Sequence, residues 1–253
     1  MPPAIHVIPV LEDNFAFAVC HGEATVIVDP GEAAPVIAWL ARAGRRASAI
    51  LITHYDGDHT GGVAALRRRS HVPVAGPVPA PFEVDIVAEP GVVLSLAGLR
   101  FAVVDTPGHA VPHVAYHLPE AAALFTGDCL FGAGCGRFPP AAAATMWDSL
   151  GRLARFPDET RLYFGHEYTV SNLAFAAAVE SGNPAIARRR EQVASALARG
   201  NPSTPSTLAE ERATNPFLRV AQRPVRQWVG LPDDAPDAVV LGALRLRKNS
   251  FRG

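Results

Sequence analysis

The stretch ILITHYDGDHTGG, residues 50–62, decides how this chain is read. An apolar run, SAILIT, leads directly into His54, Asp56, Asp58 and His59, four ligand-type side chains within six positions. The run reads as a fully buried strand, and TGGVAALRRR behind it as the start of a helix. In open α/β sheets the C-terminal strand ends face the ligand crevice, so polar residues there are placed for chemistry. Imidazole and carboxylate are the donors expected for zinc, iron or manganese. Ordinary turn polarity gives no reason for so dense a cluster behind a buried strand.

Working outward, short apolar runs AIHVIPVL, FAFAVC and ATVIVDPG precede it, with HGE as a hairpin turn. APVIAWLARAG reads as a helix, with Pro35 near its first turn and Gly44 where a C-terminal cap belongs. Further strands are expected in GVVLSLAGLRFAVVDT, HVAYHLP, AALFTGD and RLYFG, with a helix around 141–155. Such alternation predicts α/β layers. From about residue 171 the pattern changes: SNLAFAAAVE, PAIARRREQVASALARG and DAVVLGALRLRKN are helical, joined by the polar, proline-containing connection NPSTPSTLAEERATNPF. The expected organisation is an α/β domain at 1–170 and a small helical domain at 171–253.

Other ionisable groups also follow predicted strands: His109 and His113 in VVDTPGHAVPH, Asp128 in FTGD, His166 in YFGHEY and Asp29 in VDPG. His54, Asp56, Asp58, His59, His109, Asp128 and His166 make a candidate ligand set too large for one tetrahedral ion. It suits two ions sharing a carboxylate, about 3.5–4 Å apart, which is an arrangement for hydrolysis. The remaining histidines have simpler roles. His6 and His71 read as structural or solvated, His117 as a strand residue, and His113 as a support for ligands. Asp29 reads as a turn or supporting residue.

The chain has 253 residues, of which 49 % are hydrophobic, enough for a sizeable core. A formal net charge of −1 gives no electrostatic reason to expect nucleic acid or an anionic membrane as partner. No apolar run reaches the roughly 18 residues of a membrane span, and the N-terminus does not read as a signal peptide. Three widely spaced cysteines, Cys20, Cys129 and Cys135, suit free thiols in a reducing compartment. A cytoplasmic protein, and a monomer, is expected.

THYDGDH resembles the T-H-x-H-x-D-H signature of the metallo-β-lactamase superfamily. TPGHAVPH, FTGDCLFGAGCGRF, YFGHEYTVSNLAFA, PSTLAEERATNPFLR and LRLRKNSF resemble, more narrowly, the glyoxalase II (hydroxyacylglutathione hydrolase) family over nearly the whole chain. The resemblance implies a four-layer αββα sandwich with a small C-terminal helical domain. It implies hydrolysis of S-D-lactoylglutathione by a metal-bridging hydroxide, with Asp58 orienting the nucleophile. His54, Asp56, His109 and Asp128 would hold one ion; Asp58, His59, His166 and the shared Asp128 would hold the other. Arg137, Tyr168, Arg245 and Lys248 fall where the family grips glutathione, and guanidinium and ammonium groups are natural partners for its two carboxylates.

Two positions depart from the family pattern. Asp56 stands where the signature has His, and Pro139 where many members have a Tyr that helps hold glutathione. A carboxylate at 56 can still ligate, and it tilts preference from zinc toward iron or manganese. The competing readings are a persulfide dioxygenase-like iron oxidoreductase, a hydrolase of another thioester or a lactone, and a metal-containing binding protein without turnover. They are separated by metal stoichiometry, substrate profile and loss of all turnover, respectively.

Overall fold

The computed structural model describes residues 2–252, which divide into two compact units. The first comprises residues up to Asp105 with Ala110–Gly127 and Tyr163–His166; the second comprises Thr106–His109, Asp128–Leu162 and the chain from Glu167.

The first unit is built on two sheets. Strands β1 (Ala4–Val10), β2 (Asn14–His21) and β3 (Ala24–Val28) form an antiparallel meander. Beyond it β4 (Ala49–Leu51), β5 (Val74–Gly76) and β6 (Ile86–Val87) add in parallel, in the order β1-β2-β3-β4-β5-β6. Helix α1 (Ala33–Arg42) makes the crossover from β3 to β4. The short α2 (Gly57–Thr60) and then α3 (Val63–Ser70) lie between β4 and β5. The second sheet runs β7 (Val93–Leu96), β8 (Leu99–Asp105), β9 (Val114–Leu118) and β10 (Ala123–Gly127), each antiparallel to the next. Its first hairpin turns on Ala97 and Gly98, both at positive φ (54° and 77°), the pairing that matches strand twist in a two-residue turn.

The sequence reading located β4 because a strand covered on both faces is continuously apolar. One face of the first sheet packs Ile27, Ile50 and Ile52 against Val36 and Leu40 of α1 and Val63 and Leu66 of α3. The other face meets the second sheet: Phe17, Val19, Val28 and Leu51 share a core with Phe101, Val103, Tyr116 and Phe125. Phe17 lies with its ring centroid 5.6 Å from Phe125 and edge-on to Tyr163 at 5.4 Å. This central layer aligns the strand ends that carry the polar residues.

The second unit carries the hairpin β11 (Leu130–Phe131) and β12 (Gly134–Cys135), then α4 (Ala143–Leu153). Strand β13 (Arg161–Phe164) straddles the division, since Tyr163 and Phe164 belong to the first unit, where the strand borders β10. Helices α5 (Thr169–Val179) and α6 (Pro184–Ala198) follow as expected. The segment read as a polar connection is instead ordered: β14 (Ser206–Thr207) pairs with Arg161 and Leu162, and α7 (Leu208–Thr214) follows at once. Its start is a capping box. The Thr207 side chain accepts from the Glu210 N–H, and the Glu210 carboxylate accepts from the Thr207 N–H at 2.8 Å. Thr207 and Glu210 carry the T-x-x-E pattern of such a box, which the sequence reading did not pick out among the surrounding prolines. Helix α8 (Arg223–Val229), also unread, precedes α9 (Asp237–Ser250). Cys20, Cys129 and Cys135 are free and buried, and burial pushes the Cys129 and Cys135 thiols up, the latter to about 12.

Candidate metal centre

In the first unit the residues of THYDGDH leave β4 and turn at once into α2. The turn is tight because Gly31, beyond β3, lies against it: a Cβ there would stand 1.8 Å from the Asp58 carbonyl oxygen. His54 and His59 are fully buried, and their rings lie 4.1 Å apart. His113, at the start of β9, stacks on His54 at 4.8 Å, a supporting contact as the sequence reading expected.

Hydrogen bonding fixes the tautomers. The Asp29 carboxylate accepts from the Thr53 N–H (2.8 Å), the Thr53 hydroxyl (2.6 Å) and His59 Nδ1 (3.1 Å). A carboxylate ion only accepts, so His59 carries its proton on Nδ1. Thr53 Oγ1 gives its single hydrogen to Asp29, so at 3.0 Å from His54 Nδ1 it accepts, and His54 is protonated there too. His166 Nδ1 lies 3.0 Å from Asp13 Oδ1 and donates to it by the same argument. His54 and His59 therefore present Nε2 as a lone-pair donor, their other ring nitrogen being held by an acceptor as in histidine metal ligands, while His166 Nε2 lies 3.3 Å from both Asp58 Oδ2 and the Asn14 amide nitrogen.

Donor atoms of Asp58, His59 and His166 lie within 4.8 Å of one another. The Asn14 amide donates to Asp58 Oδ2 at 2.9 Å, and Asn14 is bridged to His166 through the backbone. The His166 imidazole beside Asp58 holds its carboxyl well below the usual carboxylate range. Asn14 and the nearby His59 act in the same direction, against the opposing effect of burial. Two imidazoles and an ionised carboxylate fit a zinc, iron or manganese ion. Asp29 also stands within 4.8 Å of His54 and His59 donors, but its three accepted bonds make it a support. Asp56 belongs to neither cluster. Its carboxylate is 55 % exposed and reaches His54 Nε2 only at 3.8 Å.

In the second unit His109 and Asp128 form a pair, with His109 Nε2 3.6 Å from Asp128 Oδ2. The Arg137 carbonyl, 2.7 Å from His109 Nδ1, can only accept, so His109 also presents Nε2. Arg137 is exposed at the end of the segment leaving β12. Arg245 is largely buried; it donates to the Cys135 carbonyl at 3.1 Å and lies 5.3 Å from the Phe217 ring centre. Burial lowers Arg245, and the Arg137 charge adds to that effect. Lys248 donates to the Ser171 carbonyl at 3.0 Å, and burial together with Arg245 brings it down to about 8. Tyr168, 36 % exposed before α5, packs its ring edge-on to Phe131 at 5.5 Å. The basic trio is thus a local excess of positive charge.

The sequence reading missed Asp13 and Asn14, since an Asp-Asn pair between two strands reads as turn chemistry alone. It read Asp29 as a turn or supporting residue, in keeping with the three bonds that Asp29 accepts. The places of Asp13 and Asn14 are not available before the chain folds, because their partners lie far along the sequence.

Comparison with known proteins supplies the context. The metallo-beta-lactamase superfamily profile matches residues 11–83 and 75–166, and that of the hydroxyacylglutathione hydrolase C-terminus matches 167–251. A hydroxyacylglutathione hydrolase of Rhodopseudomonas palustris strain BisB5 is 41 % identical over 255 residues, covering 99 % of this chain and 100 % of its own. That of Cupriavidus taiwanensis is 43 % identical over 265 residues, with 97 % and 98 % covered. Among solved structures, ETHE1 from Myxococcus xanthus superposes with a TM-score of 0.67 at 23 % identity, covering 97 % of this chain and 99 % of its own, a likeness of fold alone. TTHA1623 in a di-iron-bound form superposes with a TM-score of 0.60 at 28 % identity, covering 83 % and 98 %. With its metallo-β-lactamase αββα fold and C-terminal helical domain, the chain belongs to the hydroxyacylglutathione hydrolase, or glyoxalase II, family.

Proposed function

We propose that this protein is a thioester hydrolase that converts S-D-lactoylglutathione to D-lactate and glutathione with two divalent metal ions. The observation that carries this reading is the whole-chain match to hydroxyacylglutathione hydrolases at 41 % and 43 % identity. His54, His59 and His109, which each present Nε2, support the metal half of it.

By the family pattern, His54, Asp56, His109 and Asp128 would hold one ion, and Asp58, His59, His166 and Asp128 would hold the other. The similar chain that binds two irons favours a count of two. When bound, such ions lower the pKa of water from about 15.7 to near 7 and polarise a carbonyl. Asp58, kept anionic by His166 and Asn14, accepts a hydrogen bond from the attacking water and aims it at the thioester carbon. The thiol formed has a pKa of roughly 8.5, so it departs as thiolate without a dedicated general acid. Arg137, Arg245 and Lys248 bind the glutathione carboxylates, whose charge offsets the mutual repulsion of the three cations. Tyr168 adds a hydroxyl to that grip. Residues 1–170 then serve as the catalytic domain and 171–253 as the substrate-binding domain of a cytoplasmic monomer. Among the described residues no helix is long and apolar enough to cross a membrane.

Asp56 would join the first ion's set by turning inward from its exposed position, and a carboxylate there would favour iron or manganese over zinc. Pro139, lacking a hydroxyl, favours a looser grip on glutathione, and with it the reading as a hydrolase of another thioester. The test is thiol release from S-D-lactoylglutathione by protein loaded separately with zinc, iron and manganese. Rapid release with one metal supports the assignment. Silence with all three, in protein shown to hold two ions, overturns the substrate.

A further inference from the structure

We propose that Glu211 is a positioning residue whose buried carboxylate, held by Arg189, clamps the β11–β12 hairpin and thereby sets the geometry of His109 and Asp128. The inference rests on the ligand roles assigned above to those two residues. It gives the helical segment a task beyond substrate binding.

Glu211, on α7, has no exposed surface, and four donors converge on its two oxygens. Arg189 of α6 and the Ser206 hydroxyl (2.7 Å) reach Oε1; the Ala133 N–H (2.8 Å) and the Asn215 amide (3.0 Å) reach Oε2. Each oxygen of the Glu211 side chain accepts two of these bonds, which uses the lone-pair sites of a carboxylate. Arg189 is itself buried and also donates to Thr214 Oγ1 at 2.6 Å, so the pair is fixed at both ends.

The hairpin these groups hold is otherwise poorly specified. It has two residues per strand, and Ala133 sits in its turn at φ 53°, unfavourable for an L-residue with a Cβ. Side chains from the helices compensate. Asn172 donates to the Gly132 carbonyl (3.0 Å), Asn215 to those of Gly134 (2.9 Å) and Phe131 (3.3 Å), and Arg245 to that of Cys135 (3.1 Å). Glu211 supplies the acceptor for a hairpin N–H and orients the Asn215 amide for two of the other bonds.

Asp128 enters this hairpin and Arg137 leaves it. Between them Gly136 passes so close that a Cβ would stand 2.0 Å from the Asp128 carbonyl and 3.0 Å from His109 Cβ. The Arg137 carbonyl then fixes His109 Nδ1 at 2.7 Å. A hairpin that shifts therefore moves the carbonyl that orients His109 and the backbone packed on Asp128.

The test compares E211Q with E180Q in the full-length chain. Glutamine keeps the shape at 211 but turns an amide against two of the four donors. Glu180 is also buried and pairs bidentately with Arg219 (2.7 and 2.9 Å), yet makes none of the hairpin bonds. Zinc affinity is read by chelator competition, zinc per chain by elemental analysis, and melting temperature on metal-free protein. E211Q is expected to weaken one zinc by on the order of tenfold, at the lower end of outer-shell effects. E180Q is expected to lower the melting temperature with unchanged zinc affinity. R189K, which keeps the charge and loses the fork, should shift affinity in the same direction by less, and it decides the matter if E211Q fails to fold. Zinc binding as tight as wild type in the folded Glu211 and Arg189 variants overturns the proposal, as does a wild-type chain that binds none of zinc, iron and manganese. The readout needs no thioester. Loss of zinc affinity in a protein inert toward S-D-lactoylglutathione leaves the clamp standing and removes only the substrate assignment.

Discussion

Replacing Asp29 with Asn probes the first unit's histidines through a single oxygen. In the folded protein Asp29 Oδ1 accepts from the Thr53 N–H at 2.8 Å, while Oδ2 accepts from the Thr53 hydroxyl at 2.6 Å and His59 Nδ1 at 3.1 Å. Asparagine offers one acceptor oxygen. If it faces Thr53 Oγ1 and His59, its NH2 meets the Thr53 N–H, and a buried donor goes unsatisfied at a cost of about 1–3 kcal/mol. If it flips, the NH2 faces His59 Nδ1, and the imidazole must move its proton to Nε2. Thr53 Oγ1 then becomes an acceptor of the amide and loses its fixed relation to His54. Either way the variant loses stability or loses the Nε2 lone pair of His59. At about 2–4 °C per kcal/mol for a chain of this size, metal-free D29N should melt about 2–12 °C below wild type. Its metal affinity should fall about 10–100-fold, the usual cost of losing an outer-shell partner. Differential scanning calorimetry on chelator-treated protein gives the first number and chelator competition the second. Metal affinity within twofold of wild type, with an unchanged melting temperature, would refute the tautomer argument.

Other perturbations follow from the same geometry. D56H should raise the ratio of zinc to iron in protein grown with both metals, measured by elemental analysis; an unchanged ratio removes Asp56 from the ligand set. Lys248 is held at about 8, so it loses its charge as pH rises through that value, and KM for the glutathione thioester should climb above it while kcat stays level. K248M should raise KM at neutral pH and flatten that rise. The sign for stability is the reverse of a salt bridge. The unfolded chain binds this proton more tightly between pH about 8 and 10.5, so burying charged Lys248 opposes folding and the opposition fades as pH rises through that window. K248M should therefore melt higher than wild type at pH 7 and approach it at pH 10. T207A removes the α7 capping box and should cost about 1 kcal/mol, read as a fall of about 2–4 °C; no change would mean that packing alone holds this helix.

Much of the site was legible before folding because its chemistry is local. A buried strand announces itself by a continuous apolar run, and residues just beyond it are committed to the sheet's edge by chain connectivity. Hence His54, Asp56, Asp58, His59, His109, Asp128 and His166 could be nominated from position alone. Their companions could not. Asp13 and Asn14 looked like turn residues, and only the pairing of Asn14 with His166 puts them beside that imidazole. Helix α7 was hidden for a different reason: prolines dominate its neighbourhood, and a capping box of four residues is a weak signal against them.

The sequence by itself determined the family, the donor types and the strand ends that bear them, because periodicity and covalent adjacency are properties of the chain. Tertiary structure alone decided which nitrogen His54, His59 and His109 present, which donors Asp29 serves, and what holds the β11–β12 hairpin in place. Those outcomes depend on hydrogen-bond partners as distant along the chain as Ala133 and Glu211, or Asp13 and His166. Buried donors and acceptors must be satisfied where packing puts them, and packing is settled only when the chain has folded.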